Sequence, residues 1–286
     1  MEAEIADLLN LLELEQLEVN LFRGESRDIG SPQVFGGQVL GQALTAASAT
    51  VAGRVVHSLH AYFLRRGDFN APIVYQVDRS LDGHSFANRR VVAIQHGEQI
   101  FNMAASFQTV EEGLDHQTAM PDVPPPESLT DQTSLPPEIG RHLPERLRQF
   151  FAQPRPFVFR VAHSGTESDG RTEPARQIWF KAVGRLPDDE RLHRNLLAYA
   201  SDFFLLGTSL LPHRTAEFDG RLIMASLDHA MWFHRSLRVD DWLLYAMESP
   251  SASGARGFAR ANVFSRDGRL VATTAQEGLV RIKRGK

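Results

Sequence analysis

Cysteine is absent from all 286 residues. That gap removes disulfides, thiolate nucleophiles and zinc–thiolate centres together, and it suits a reducing compartment. No apolar run approaches the ~20 residues that span a bilayer, and the opening MEAEIADLLNLLELEQ carries acids where a secretory leader carries basic residues. These features predict a cytoplasmic protein without stable membrane association. A positive surplus is missing too, since 31 Lys and Arg stand against 35 Asp and Glu for a formal net charge of −4. Nucleic-acid binding needs a basic face to neutralise phosphates and is not expected.

Several catalytic signatures are also lacking. There is no G-x-S-x-G nucleophile elbow, because Gly207-Thr208-Ser209-Leu210-Leu211 has no closing glycine, and there is no Walker A loop, G-x-G-x-x-G or H-E-x-x-H. His57 and His60 stand three apart on a predicted strand and so point to opposite faces, and the other histidines show no ligand spacing. Neither a metal nor another cofactor is predicted.

What is present is a repeat. Moving residues 60–106 forward by 170 lays Phe63 on Phe233, Arg65 on Arg235, Tyr75 on Tyr245, Arg90 on Arg260 and Ala105 on Ala275. Each copy reads as a helix followed by an antiparallel meander. In the first, small residues from Gly36 to about residue 50 suit a helix gripped closely by a sheet, and strands follow near 55–64, 73–81, 85–95 and 99–110. In the second, strands near 157–163 and 175–184 precede a helix through RLHRNLLAYASDFFLLG, capped by Asp188, Asp189 and Glu190. Further strands follow near 221–235, 241–248, 255–265 and 269–283. Between the copies lie nine of the fifteen prolines, with one predicted helix at about 138–151. The division is therefore an N-terminal unit (1–119), a Pro-rich linker (120–156) and a C-terminal unit (157–286), an α+β protein whose two sheets join edge to edge.

The two copies differ in chemistry. Asp202 lies in an apolar helical pattern beside Tyr199, Phe203 and Phe204, where an unpaired carboxylate is costly and so points to a specific purpose; a solvent-facing helix position is the ordinary alternative. Ser226 precedes Leu227-Asp228-His229 on a strand, and Gln276 interrupts the small-residue run Val271 to Ala275. The first copy has Gln38 and Gln42 around its helix and Ser106 opposite Gln276. On a regular strand His229 points away from Ser226, which argues against a Ser–His nucleophile.

The runs VFGGQVLGQAL, LAYASDF, LDHAMWFHR, WLLYAMESPSASGARGF and AQEGLVR resemble those of type II (TesB-like) acyl-CoA thioesterases, in order and across nearly the whole chain. The resemblance implies a double hot-dog fold, homo-oligomers (dimers or tetramers of such chains) and hydrolysis of fatty acyl-CoA to free acid and CoA. It implies catalysis by Asp202 on the second helix, Ser226 on the following strand and Gln276 on the last strand. Asp202 would then activate water that Ser226 and Gln276 orient. Helix-end amides, either at Gly36 and Gly37 or within the second unit, are candidates for the oxyanion, His57 for lining the substrate, and Arg65, Arg256 and Arg260 for the phosphates of CoA. A catalytically silent acyl-CoA binding or sensing protein on the same fold is the alternative.

Overall fold

The computed structural model describes residues 2–31, 33–130, 155–168, 171–213 and 222–283. Helix α1 (Ala3–Leu12) buries Ile5, Leu8, Leu11 and Leu12, the face its apolar spacing predicts. A hairpin follows, β1 (Glu15–Glu18) with β2 (Leu21–Gly24). Helix α2 (Gly36–Ala49) leads into the first meander: β3 (Val55–Phe63), β4 (Ile73–Asp82), β5 (Phe86–Gln95) and β6 (Glu98–Gln108). His96 and Gly97 turn β5 into β6 with φ of 52° and 78°, the paired left-handed conformations of a two-residue hairpin loop.

The second copy opens with β7 (Phe157–Ser164) and β8 (Ala175–Ala182), then helix α3 (Glu190–Ala200) and the short α4 (Leu205–Thr208). Its remaining strands are β9 (Leu222–Ser226), β10 (Asp228–Phe233), β11 (Leu243–Ser253), β12 (Arg256–Ser265) and β13 (Leu270–Ile282). The single strand predicted at 221–235 is thus two, broken at Leu227.

These thirteen strands form one antiparallel sheet in the order β1-β2-β4-β5-β6-β3-β10-β13-β12-β11-β8-β7, with β9 beside β13, and Glu167–Ser168 pairs separately with Arg171–Thr172. The order reads nearly the same from either end, with β3 and β10 at the middle, so the repeat is a spatial duplication. At that seam Tyr62 pairs with Asp228 and Ser58 with Trp232, so backbone hydrogen bonds join the two copies. Helix α2 packs against β3 to β6, and α3 lies along α2. Small residues let them approach: a Cβ on Gly37 would fall 2.3 Å from the Tyr199 carbonyl oxygen. Among the described residues no helix is long and apolar enough to cross a membrane.

The described start of the linker lies across the opposite face of the second copy's sheet. Trp179, Leu244 and Phe264 form a separate small core there, covered by Met120, Val123 and Leu129. Polar ties hold the strap: the Trp179 indole donates to the Pro124 carbonyl (2.9 Å), and Arg266 takes both oxygens of Glu127 (2.7 and 3.0 Å). The helix predicted at about 138–151 lies outside the described residues.

Candidate active site

Helix α3 starts where the sequence predicts, with the Asp189 carboxylate accepting from the amides of Arg191 (2.9 Å) and Leu192 (3.4 Å). It ends earlier than predicted. Ala200 is its last residue, Ser201 caps it, and Phe204 adopts a left-handed φ of 66°, so Asp202 sits in a turn beyond the helix rather than on it. Aromatic packing explains the break. Phe203 and Phe204 both contact Phe159, at ring separations of 5.4 and 5.0 Å, and Phe203 also stacks against Phe35 at 4.5 Å. Neighbouring positions on a helix diverge by ~100°, too far to share one ring in this way.

The turn aims Asp202 across the junction between the two copies. Its Oδ2 accepts from the Gly37 amide of α2 (2.9 Å), and its Oδ1 accepts from Gln276 Nε2 (2.7 Å). Phe35, at the N-cap of α2, offers no capping side chain, so a carboxylate from the other copy takes that place at the positive end of the helix. Gly36 makes room for it: a Cβ there would stand 2.7 Å from Asp202 Oδ2.

Gln276, on β13, is fully buried. Its Nε2 donates to Asp202 and also to Ser226 Oγ at the end of β9 (3.1 Å), while its Oε1 has no hydrogen-bond partner. The structure therefore brings Asp202, Ser226 and Gln276 together around one amide group. Burial pushes the Asp202 carboxyl above the usual carboxylate range, and the bonds from Gln276 and Gly37 hold it back.

His229 departs from the predicted orientation. Ser226 pairs with Gly278 and Ala230 with Ala275, so one chain advances four residues where its partner advances three. That bulge turns His229 onto the same inner face as Ser226. Its Nε2 nevertheless hydrogen bonds Ser201 Oγ (2.9 Å) and Thr274 Oγ1 (3.0 Å), not Ser226, and burial lowers its pKa to about 3. Local sequence gives little sign of this cluster, since a helix-end serine and a strand threonine are ordinary.

A cavity of about 180 Å³ borders the site, lined by Gly36, Phe63, Arg65, Arg66, Ser226 and Leu227 among others. A second, of about 490 Å³, lies between α1 and the turn, with Leu8, Leu11, Arg27, Ile29, Tyr199 and Phe203 in its wall. Arg65 stands at the first cavity with its guanidinium on Glu98 (2.9 Å). Arg256 and Arg260 pair with Glu277 (2.9 Å) and Glu248 (2.5 Å) and line neither cavity. His57 belongs to the first copy, where its Nε2 hydrogen bonds Ser106 Oγ (2.8 Å). Gln42 is likewise structural, tied to the Leu11 and Glu25 carbonyls and the Tyr75 hydroxyl. Among the described residues no cluster of His, Cys, Asp and Glu is arranged to hold a metal ion.

Comparison with known proteins sets this geometry in a family. Residues 146–279 match the family model described as acyl-CoA thioesterase, and residues 23–108 match the acyl-CoA thioesterase N-terminal domain. The chain is 44% identical over 277 residues to acyl-CoA thioesterase 2 of Haemophilus influenzae, covering 96% of this chain and 97% of that one. The crystal structure of acyl-CoA thioesterase II TesB2 from Mycobacterium marinum superposes with a TM-score of 0.81 at 43% identity, covering 98% of this chain and all of that one. A hot-dog protein of unknown function from Alicyclobacillus acidocaldarius, 20% identical, shares the fold with a TM-score of 0.76 over 97% of this chain and 99% of its own. The two helix-bearing halves of the sheet are two hot-dog units in one chain.

Proposed function

Since the chain belongs to the acyl-CoA thioesterase family, we propose that it hydrolyses fatty acyl-CoA at the junction between its two copies, using Asp202, Ser226 and Gln276. The observation that carries this reading is the shared amide: Gln276 Nε2 spends its two protons on Asp202 Oδ1 and Ser226 Oγ. Both partners must then be acceptors. Asp202 also accepts from the Gly37 amide through its other oxygen, a pair of acceptors that suits the carboxylate form, and the Ser226 hydroxyl proton stays available for the substrate or for water.

Asp202 acts as general base. Its carboxyl, raised by burial yet held by two donors, accepts a proton from a water molecule as the water oxygen attacks the thioester carbonyl carbon. Ser226, on the wall of the smaller cavity, orients that water. The Gly37 amide is committed to Asp202, so stabilising the carbonyl oxyanion falls to Gly36, the first residue of α2, which borders the same cavity. Collapse of the tetrahedral intermediate breaks the carbon–sulfur bond, and the proton on Asp202 passes to the departing CoA thiolate. Arg65 and Arg66 stand where the phosphates of CoA would enter. The first unit (1–119) thus contributes α2 and the cationic rim, and the second (157–286) contributes the reacting side chains.

Thiol release from acyl-CoA tests the reading without background, because the protein has no cysteine. Wild-type protein should release CoA and Asp202→Asn should not. Binding of acyl-CoA with no release by the wild type would instead identify a silent binding protein. An acyl group trapped on Ser226 during a single turnover would replace water attack by a covalent route.

A further inference from the structure

Beneath the three reacting groups lies a buried polar cluster that the proposed reaction does not consume. His229 is fully buried, and its Nε2 meets two hydroxyls: Ser201 Oγ at 2.9 Å and Thr274 Oγ1 at 3.0 Å. Each hydroxyl already has a carbonyl for its own proton, Ala198 for Ser201 and Ala230 for Thr274, both at 2.9 Å. Nε2 therefore carries the imidazole proton and shares it between the two oxygens, which leaves Nδ1 bare. Nδ1 is buried without a partner.

That arrangement is unfavourable in itself. A buried unpaired nitrogen costs stability that a phenylalanine or leucine at the same place would not, so the imidazole calls for a specific explanation. Its two partners supply one. Ser201 immediately precedes Asp202, and Thr274 lies two residues before Gln276 on the same face of β13. The Tyr245 hydroxyl adds a further anchor, donating to the Ser201 carbonyl (2.7 Å). His229 points inward with Met231 and Phe233 by the alternation of β10 and so reaches both.

We infer that His229 is a positioning residue: one imidazole ties the turn bearing Asp202 to the strand bearing Gln276, and so sets the gap that Gln276 Nε2 spans to Asp202. The inference rests on the roles proposed for Asp202 and Gln276. Removing the tie lets the turn drift from the strand, which weakens the bond from Gln276 to the carboxylate without touching the substrate cavity. Loss of that bond also releases the Asp202 carboxyl toward higher pKa, since Gln276 is a donor holding it down. The titratable neighbours of Asp202, Tyr199 and Tyr245, are buried with their hydroxyls pushed upward and stay neutral, so the acid limb of the rate profile reports on Asp202.

The test compares His229→Phe, His229→Gln, Asp202→Asn and, as a control for general destabilisation, Phe264→Leu in the separate core on the far face of the sheet. His229→Phe should lower kcat about 30- to 100-fold, as displacements approaching 1 Å do, with KM within about twofold. The acid limb of its kcat/KM profile should move to higher pH. His229→Gln keeps a donor for both hydroxyls and should recover about tenfold, while Phe264→Leu should leave the pH profile in place. Unchanged kcat and acid limb in His229→Phe, or equal behaviour of the Phe and Gln variants, would overturn the inference. If His229→Phe does not fold, Ser201→Ala and Thr274→Ala each cut one arm, and wild-type kinetics in both overturns it equally. An active Asp202→Asn would instead sink the underlying assignment of the base.

Discussion

Replacing Gly36 by alanine isolates the placement of the Asp202 carboxylate from its chemistry. The new Cβ would stand 2.7 Å from Oδ2, whereas ordinary contact begins near 3.4 Å, so the carboxylate must retreat by 0.7 Å. The Phe63 ring, 3.2 Å away, also crowds the methyl group. Retreat stretches the 2.9 Å bond from the Gly37 amide and tilts the 2.7 Å bond from Gln276. A displacement of this size costs roughly 30- to 100-fold in kcat, given that a misplacement of ~1 Å costs about 10²-fold. Stability should change less. Alanine is favoured over glycine in a helix by about 1 kcal/mol, and a weakened charge-assisted hydrogen bond forfeits part of its ~1.5–3 kcal/mol, so the two largely offset and a net change within about 1 kcal/mol is expected. Thiol release measures the rate and a denaturant midpoint the stability. Gly113→Ala, whose Cβ meets open space, is the neutral control. A folded Gly36→Ala protein with kcat within twofold of wild type would show that the carboxylate position does not govern the rate.

Three further outcomes are expected. Asp202→Asn should lose about 10²–10⁴ in rate yet be no less stable at pH 8. The folded carboxyl has a raised pKa, so its ionised form opposes folding above that pKa, and a flip of Gln276 would bring its unpartnered Oε1 to the new amide; a clear drop in denaturant midpoint would contradict this. His229 titrates at about 3 in the fold against 6.5 in the unfolded chain, so its contribution is fully present above pH 6.5 and is lost as the pH falls toward 3. The unfolding free energy of the wild type should therefore fall more steeply between pH 6.5 and 5 than that of His229→Gln, by up to ~1.4 kcal/mol per pH unit, and parallel curves would refute it. Trp179→Ala should cost about 3–5 kcal/mol by opening the core under the strap and expose residues 109–130 to proteolysis; a protected strap would refute it.

Much of the fold is legible because the strands of each copy alternate cleanly between a face on the shared core and an outer face, and because the spacing of 170 marks corresponding strands. Less of the site is legible, and the reason is specific. Asp202, Ser226 and Gln276 stand out as polar residues in apolar surroundings, and Gln276 points inward by regular alternation, but the placing of Asp202 and of Ser226 relative to His229 depends on departures from regular geometry. Asp202 leaves the helix because Phe35 and Phe159, distant in sequence, claim the rings of Phe203 and Phe204. Ser226 and His229 share a face because the register along β13 inserts one residue between them. A period counted along one segment cannot register either event, since both are decided by the partner across the contact. The cationic candidates look alike in sequence for another reason: all three pair with an acid, Arg65 with Glu98, Arg256 with Glu277 and Arg260 with Glu248, and only their place in the fold separates Arg65, at a cavity, from the other two.

The carboxylate of one copy closing the helix of the other has a bearing on inheritance. Two identical subunits meeting in this way would form the same crossing twice, and every substitution would alter both. Fusion makes each side a separate stretch of one gene. Changes around α2 can then reshape what approaches the proposed base while Asp202 itself stays fixed, and the first copy can carry ties of its own such as Gln42 with Tyr75 or His57 with Ser106. Chimeras joined within the linker should accordingly work only when both parents agree on the Gly36-Gly37 turn and the chain around Asp202, however well each half folds.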